Sequence, residues 1–463
     1  MTLIKSISGI RGTIGGKVGN NLTPIDAVKF AAAYGAWLKQ NRPNKENYRV
    51  VVGRDARISG NMIQELVMNT LVGQGIHVIN VGLSTTPTVE VAVPMEHADG
   101  GVILTASHNP KQWNALKLLN EKGEFLDAVE GAKILDIAES GDVEFADVDS
   151  LGKITVNDAY IDLHIIEVLD LPLVTVKPIE EAGFKVVVDG VNSTGGIAIP
   201  LLLERLGVEV VKLYCEPNGH FPHNPEPLKE HLTDLSEAVK KHNADFGIVV
   251  DPDVDRLAFM DENGEMFGEE YTLVACADYV LSRTPGNTVS NMSSTRALRD
   301  VTEKYGGTYE ASAVGEVNVV KLMKKNKVVI GGEGNGGIIY PESHYGRDAL
   351  VGVALFLSLL AEKKMSVSAL RKTYPNYFMS KKKIQLTPDL DVDGILNEIE
   401  NRYNNEQLTT IDGVKIDFAE SWVHLRKSNT EPIIRIYTEA KSQEEADNLA
   451  DKFIEELGSL ASS

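Results

Sequence analysis

The chain has 463 residues, 46 of them basic and 66 acidic, for a formal charge of −20. That length suits three or four domains. The charge argues against nonspecific nucleic-acid binding, so an anionic ligand must be met by particular arginines and lysines rather than by the overall field.

Two cysteines, Cys215 and Cys276, lie far apart and form neither a metal-ligand cluster nor a disulfide framework, so reduced thiols are expected. The longest apolar run, residues 349–361 between Asp348 and Glu362, is too short to cross a bilayer and reads as a buried helix. Lys5 and Arg11 interrupt the amino-terminal apolar residues, so no signal peptide is expected. The expectation is a soluble, cytoplasmic protein with no membrane or nucleic-acid partner.

Residues 8–17 read SGIRGTIGGK. A Walker phosphate loop needs a glycine where Arg11 stands and a hydroxyl residue where Val18 stands, so the stretch reads as a flexible loop presenting one cation, Arg11. Thr23-Pro24-Ile25-Asp26 opens a helix with a cap threonine, an early proline and an acid near the positive end. Val50–Val52 is a strand, followed by Gly53-Arg54-Asp55-Ala56-Arg57 and then Ser59, which is expected to cap a helix carrying Ile63, Leu66, Val67 and Leu71. His77–Val81 is the next strand. This strand–helix alternation predicts an α/β domain with a largely parallel sheet.

Gly101–Leu104 reads as a buried strand running into TASHNPKQWNALK, residues 105–117. Ser107 therefore sits just past a strand's carboxyl end, where open α/β sheets bind ligands. With His108 beside it and Lys117 ten residues on, Ser107 is a candidate nucleophile or phosphate carrier. The competing reading is a turn serine that caps a helix.

A second strand, Phe184–Val188, ends in the polar, glycine-rich run 189–196. His220 and His223 lie in a proline-rich loop and read as loop residues rather than metal ligands. Gly247–Val250 then runs into Asp251-Pro252-Asp253-Val254-Asp255-Arg256. Carboxylates at alternate positions after a strand converge into the oxygen-rich shell that Mg²⁺ prefers. An EF-hand fails because Arg256 stands where the turn glycine belongs and the flanks are strands. A phosphatase with an aspartyl nucleophile is a further reading, and it leaves Ser107 without a role.

Val328–Ile330 leads into Gly331-Gly-Glu-Gly-Asn-Gly-Gly337. The spacing Gly332, Gly334, Gly337 matches a dinucleotide fingerprint, but the following Ile338–Pro341 is extended rather than helical. The loop suits close backbone approach to a ligand, with Glu333 and Asn335 offering polar groups to sugar hydroxyls; a plain glycine turn is the alternative. Asp348 caps the buried helix. Near the end, Arg426, Ser428, Asn429 and Thr430 precede strand Ile433–Tyr437 and can surround a phosphate, and Ser442–Glu445 is a capping box for the last helix, expected to end at Gly458.

Taken in order, SGIRG, GRDxRxS, TASHNP with its trailing lysine, DPDVDR, GEGNGG and RKSNTEP resemble the α-D-phosphohexomutase superfamily over essentially the whole chain. The resemblance implies an α/β fold of four domains, three similar α/β domains with mixed, mostly parallel sheets and a smaller C-terminal α+β domain, around a central cleft. On this chain the domains are expected at residues 1–150, 151–252, 253–370 and 371–463.

The resemblance implies a mutase that moves a phosphoryl group between O1 and O6 of a hexose phosphate through a phosphoserine and a sugar bisphosphate. Ser107 would carry the phosphoryl group, and Mg²⁺ would sit on Asp251, Asp253 and Asp255 with Ser107. Lys117 would be the general acid/base, Arg11 and Arg256 would stabilise the transferring group, and His108 and Asn109 would support it. Glu333 and Asn335 would hold sugar hydroxyls, and Arg426, Ser428, Asn429 and Thr430 the idle phosphate. Two departures bear on the sugar: many members read Glu-x-Ser-Gly where this chain has Glu333-Gly334-Asn335-Gly336, and Asn-Gly where it has Asn114-Ala115. The motif forms lean toward phosphoglucosamine mutases, hence glucosamine 6-phosphate, with a phosphoglucomutase/phosphomannomutase as the alternative. A Mg²⁺-dependent aspartyl phosphatase and a silent sugar-phosphate-binding protein remain as readings from other classes. The chain is expected to be a monomer or homodimer.

Overall fold

The computed structural model describes residues 2–6, 9–43, 45–385, 391–427 and 433–461. They fall into two compact units, Met1–Tyr279 with Asn335–Leu370, and Val280–Gly334 with Arg371–Ser463.

The first unit opens with β1 (Ile4–Ser6), β2 (Gly9–Thr13), β3 (Tyr48–Arg54), β4 (Ile76–Leu83), β5 (Gly100–Leu104), β6 (Trp113–Leu119) and β7 (Ile154–Val156). They form one mixed sheet in the order β1-β2-β6-β5-β3-β4-β7. The β5-β3-β4-β7 half is parallel and the β1-β2-β6-β5 half antiparallel. Both faces are covered, which is why β5 is an unbroken buried run rather than an alternating one. Helices Pro24–Asn41, Gly60–Gly73 and Ala128–Ser140 close one face around Phe30, Trp37, Val50, Val52, Ile63 and Leu71. Helix Thr86–Met95 closes the other around Val51, Val89, Val93 and Ile103. Each fully buried aliphatic side chain of this kind contributes about 1.5–3 kcal/mol.

Two sequence expectations change here. Residues 9–13, read as part of a flexible loop, form β2, and Arg11 pairs across from Ala115 on β6. The glycines lower the strand propensity of this stretch, and pairing with β6 overrides it. Ser59 does not cap the helix that follows it; its Oγ accepts a hydrogen bond from Asn114 Nδ2 at 2.9 Å instead. Thr23 does form the expected capping box with Asp26.

The same unit continues with β8 (Lys185–Asp189), β9 (Glu209–Leu213), β10 (Phe246–Val250) and β11 (Leu257–Met260), ordered β11-β10-β8-β9. The pairs β10-β8 and β8-β9 are parallel, while β10-β11 is antiparallel across residues 251–256. The buried helix Ala349–Lys363 also belongs here, capped by Asp348, whose Oδ1 accepts from the N–H groups of Leu350 and Val351.

In the second unit, β12 (Thr288–Asn291), β13 (Tyr309–Ser312) and β14 (Ile330–Glu333) are parallel in the order β13-β12-β14. After β15 (Gly337–Ile339), which belongs to the first unit, come β16 (Phe378–Gln385), β17 (Gln407–Thr409), β18 (Val414–Asp417), β19 (Trp422–Lys427) and β20 (Ile433–Ala440). These last five make an antiparallel sheet, β16-β20-β19-β18-β17. Helices Val392–Arg402 and Gln443–Ala461 pack on it through Ile399, Phe453 and Leu457, so the last helix runs past Gly458. Among the described residues, no helix is long and apolar enough to cross a membrane.

Candidate active site

Two strand ends of the first unit meet at Ser107. The serine loop joins antiparallel neighbours β5 and β6, and the acidic loop joins antiparallel neighbours β10 and β11. Ser107 Oγ donates to Asp251 Oδ2 at 2.6 Å. The serine has φ +49°, a left-handed conformation in which a residue with a Cβ costs about 1 kcal/mol or more. It is held there locally: Ser107 N–H donates to Thr105 Oγ1 at 3.0 Å, and that hydroxyl donates to Asp55 Oδ2 at 2.7 Å.

The acidic loop is equally constrained. Val254, fully buried and β-branched, sits at φ +65°. Asp251 Oδ1 accepts the N–H groups of Asp255 and Arg256 at 3.2 and 3.1 Å, closing the loop on itself. The glycine-rich run after β8 supports it from behind, since Ser193 Oγ and Thr194 Oγ1 both donate to the Pro252 carbonyl, at 2.7 and 2.9 Å. Thr86 donates its hydroxyl to Asp253 Oδ2 at 2.6 Å and its N–H to the Asp253 carbonyl at 2.8 Å.

Asp251, Asp253 and Asp255 are all fully buried, and one oxygen of each lies within 4.8 Å of the others. Three buried carboxylates repel, and the surroundings compensate unequally. Burial, with the charges of Asp255 and Asp253, pushes Asp251 well above the ordinary carboxylate range. Burial works against ionisation of Asp255 too, but Arg347, Lys117 and Arg256 outweigh it and hold Asp255 below that range.

Lys117 lies on β6 and reaches Asp253 Oδ2 at 2.7 Å and Asp255 Oδ2 at 3.3 Å. Burial alone would discharge it, yet the two carboxylates raise its pKa above that of an ordinary lysine. Arg347 Nη2 meets Asp255 Oδ2 at 2.6 Å. Even so, Asp253 Oδ1 and Asp255 Oδ1 are buried with no hydrogen-bond donor among the described residues. Unsatisfied anionic oxygens in a buried cluster are costly unless a cation shares them. The donor set, all carboxylate with a hydroxyl beside it, fits a hard divalent cation.

His108 and Arg256 complete this neighbourhood. His108 Nδ1 is 3.4 Å from Ser107 Oγ, a long contact; burial and then the charge of Arg256 hold this imidazole well below its usual pKa and therefore neutral. Arg256 pairs with Glu226 at 3.0 Å, and its buried Nε has no acceptor among the described residues. Arg11, on β2, is lowered by burial and by the charge of Arg256.

Sequence and structure comparisons place the chain in a family. The chain matches the four parts of the phosphoglucomutase/phosphomannomutase family: alpha/beta/alpha domain I over residues 3–144, domain II over 159–264, domain III over 268–377 and the C-terminal domain over 379–456. It is 36% identical over 441 residues to a phosphoglucomutase/phosphomannomutase of Thermococcus kodakarensis, covering 94% of this chain and 95% of that one. It is 32% identical over 452 residues to a probable phosphoglucosamine mutase of Methanopyrus kandleri, covering 97% and 96%. The crystal structure of a phosphoglucomutase/phosphomannomutase family protein from Burkholderia thailandensis superposes with a TM-score of 0.84 at 25% identity, over 99% of this chain and 98% of that one.

The chain belongs to the phosphohexomutase family. Its four-domain α/β architecture and its class of reaction, an intramolecular phosphoryl transfer, follow from that membership. The aspartyl-phosphatase and silent-binding alternatives are set aside.

The remaining residues singled out from the sequence of this phosphohexomutase each have contacts within their own unit. Glu333, at the end of β14, is buried in the second unit, where its Oε1 accepts from Asn291 Nδ2 at 2.8 Å and from Gly315 N–H at 3.2 Å. Asn335 falls in the first unit, and its Oδ1 accepts from Gly337 N–H at 3.2 Å. Gly336 is required between them and β15: its φ is +85°, and a Cβ there would lie 2.1 Å from the Leu257 carbonyl oxygen. Arg426 Nε pairs with Asp412 at 2.7 Å on the second unit's β19. Ser428, Asn429 and Thr430 lie outside the described residues.

Arg347 and Thr86 were not identified from the sequence, although both touch the acidic triad. Arg347 immediately precedes the helix cap Asp348, and Thr86 stands at the start of helix Thr86–Met95. A polar residue at a helix start is ordinarily explained by capping, which hides a second task.

Proposed function

We propose that this phosphohexomutase moves a phosphoryl group between O1 and O6 of a hexose phosphate through phosphorylated Ser107 and a sugar bisphosphate. The observation that carries the reading is the 2.6 Å bond from Ser107 Oγ to Asp251 within a buried carboxylate triad that has two unsatisfied oxygens. In the forward half-reaction the Ser107 Oγ–P bond breaks and a bond forms from phosphorus to a sugar hydroxyl oxygen, whose proton passes to a base while the departing Ser107 Oγ takes one from an acid. The reverse step from the other end of the bisphosphate restores phosphoserine.

Asp251, Asp253 and Asp255, with Ser107 Oγ, would hold Mg²⁺, which when bound neutralises charge on the phosphoryl group. Arg11 and Arg256 supply fixed cations beside the transferring group, and neutral His108 can donate or accept one hydrogen bond there. Lys117 is assigned as the proton donor and acceptor. Its pairing with Asp253 and Asp255 keeps it an ammonium, ready to donate to the departing Ser107 Oγ; the neutral amine that remains can then accept a proton in the return step. Glu333 and Asn335 are assigned to sugar hydroxyls, and the 426–430 loop to the idle phosphate. We place the four domains at residues 1–150, 151–252, 253–370 and 371–463, and the enzyme in the cytoplasm.

For the sugar, glucosamine 6-phosphate conversion to glucosamine 1-phosphate is the first choice. It is supported by the Asn335 form of the sugar loop and by the relative named a probable phosphoglucosamine mutase. The relative with 36% identity favours the second reading, a phosphoglucomutase/phosphomannomutase. A coupled assay with glucosamine, glucose and mannose 1-phosphates, Mg²⁺ and a trace of sugar bisphosphate decides between them by relative kcat/KM. Release of inorganic phosphate undiminished in Ser107→Ala would sink the phosphoserine route itself.

A further inference from the structure

Arg57 has no part in the chemistry above, yet it is 1% exposed and every N–H of its guanidinium is engaged. Nε donates to Asp55 Oδ2 at 2.9 Å. Nη1 donates to the carbonyls of Pro110 and Trp113, at 2.8 and 3.0 Å. Nη2 donates to the carbonyl of Asn109 at 2.7 Å and to that of Ser107. Four of the five acceptors are therefore backbone carbonyls, three from the serine loop and one from Trp113 at the start of β6. The fifth, Asp55 Oδ2, also takes the Thr105 hydroxyl that receives the Ser107 N–H.

This arrangement fixes which way the loop's peptides face. No cis peptide occurs among the described residues, and in a trans peptide the C=O and the following N–H point in opposite directions. With the Ser107 carbonyl turned to Arg57, the His108 N–H is turned away from it. Among the described residues that N–H has no acceptor. Asn109 contributes nothing of this kind, because Pro110 follows its carbonyl and its own N–H donates to the Ala106 carbonyl, so the His108 N–H is the donor that this arrangement turns outward, the polarity an anion requires. The left-handed Ser107 is a strained residue that persists only when its surroundings over-determine it, and Arg57 supplies much of that constraint.

We propose that Arg57 is a positioning residue for phosphoryl transfer: by gathering the carbonyls of Ser107, Asn109, Pro110 and Trp113 it aims Ser107 Oγ and turns the His108 N–H toward the oxygens of a phosphoryl group on that serine. The inference rests on the reading of Ser107 as the phosphoserine.

The test uses full-length enzyme stripped of phosphate, mixed with glucose 1,6-bisphosphate and Mg²⁺, quenched at intervals and scored for phosphate on Ser107 by intact and peptide mass. Arg57→Lys keeps the charge but not the five-way fork. We expect it to fold, as judged by near-ultraviolet circular dichroism. Its first-order rate of Ser107 phosphorylation should fall by about thirtyfold or more, because small misplacements of a nucleophile are costly. The half-saturating bisphosphate concentration should stay within about threefold of wild type, since Arg57 contacts the loop and not the ligand. A purely structural role would reduce the fraction of enzyme that becomes phosphorylated and leave the rate constant alone.

A folded Arg57→Lys that is phosphorylated at the wild-type rate overturns the proposal. Should Arg57→Lys fail to fold, Arg57→Gln decides. Its amide can hold at most two of the four carbonyls, a loss of about tenfold or more in the rate constant is expected, and an unchanged rate overturns the proposal. Wild-type enzyme that takes no phosphate on Ser107 overturns the phosphoserine reading together with this one, whereas a phosphorylated wild type with an equally fast variant removes this one alone.

Discussion

The first unit contains two buried clusters that a count of ligands would treat alike. One is Asp251, Asp253 and Asp255; the other is His164, His344 and Asp348. Their hydrogen bonding separates them. In the histidine cluster, Asp348 Oδ2 lies 2.9 Å from His164 Nε2 and 3.2 Å from His344 Nε2, while Asp348 Oδ1 caps its helix. Of the far nitrogens, His164 Nδ1 meets Thr88 Oγ1 at 3.0 Å, while His344 Nδ1 lies 3.4 Å from Glu90 Oε2 without a hydrogen bond between them. Each ligand atom there already has a protein partner. The aspartate cluster leaves Asp253 Oδ1 and Asp255 Oδ1 without one. The first arrangement anchors a helix start, and the second is built at a cost in stability that a ligand can recover.

The largest effect that would break this contrast lies at Ser107. Ser107→Ala should lower mutase turnover by at least about a thousandfold while leaving the melting temperature within a few degrees, because the side chain serves chemistry rather than packing. A variant that still turns over would remove the aspartate cluster from the reaction.

Next come the carboxylates. Asp253→Asn and Asp255→Asn should each abolish the rise in melting temperature that Mg²⁺ produces in wild type, a rise worth about 2.7 kcal/mol when the cation is a hundredfold above its Kd. Calorimetric titration with Mg²⁺ reads this without any turnover. Asp251→Asn should raise the stability of the metal-free enzyme by about 0.5–2 kcal/mol while destroying activity, since burial beside Asp255 and Asp253 opposes ionisation of Asp251 and an amide carries no such cost. Lower stability in that variant would mean the cluster is a net stabiliser and the contrast is wrong.

The histidine cluster should answer the opposite way. His164→Phe keeps the ring but strips partners from Thr88 and Asp348, and should cost about 1–3 kcal/mol in denaturant unfolding with Mg²⁺ affinity unchanged. A transition metal found by elemental analysis in wild type and lost in this variant would turn that cluster into a metal site.

How far the sequence leads follows the same line between local and tertiary causes. Ser107 and the three aspartates are readable because each follows a short apolar strand whose end places its loop, and because alternate carboxylates have few structural uses. The caps of Thr23 and Asp348 are readable because both partners lie within three residues. β2 was missed because its strand character comes from β6, about a hundred residues away. Ser59 has the look of a cap, but Asn114 takes its hydroxyl. Arg57 stands in a motif plain enough to quote, yet its five acceptors come from both neighbouring and distant residues, and no spacing in the sequence reports them. Arg347 presented as the residue before a cap, and its ion pair with Asp255 spans 92 positions.

The smallest effect carries the rule into the second unit. His424 on β19 is buried with both nitrogens engaged: Nε2 lies 2.7 Å from the Asp412 carbonyl and Nδ1 lies 2.8 Å from Ser293 Oγ. The carbonyl can only accept, so Nε2 carries the proton and Nδ1 accepts from the serine, which makes this a neutral imidazole with no room for a second proton. Burial is the main reason its pKa drops to about 4. The unfolded chain, with an ordinary imidazole near 6.5, then binds a proton that the folded chain refuses between these two values. The contribution of His424 is fully present above about pH 6.5 and is lost progressively as pH falls toward about 4. From pH 7.5 to 6 the loss is under about 1 kcal/mol, small enough to need difference melts of wild type against His424→Gln. The variant should melt lower at neutral pH and lose less between pH 7.5 and 6. Parallel pH profiles would show that the histidine accepts its second proton in the folded state, and that a fully partnered buried imidazole is not the closed arrangement that the contrast between the two clusters assumes.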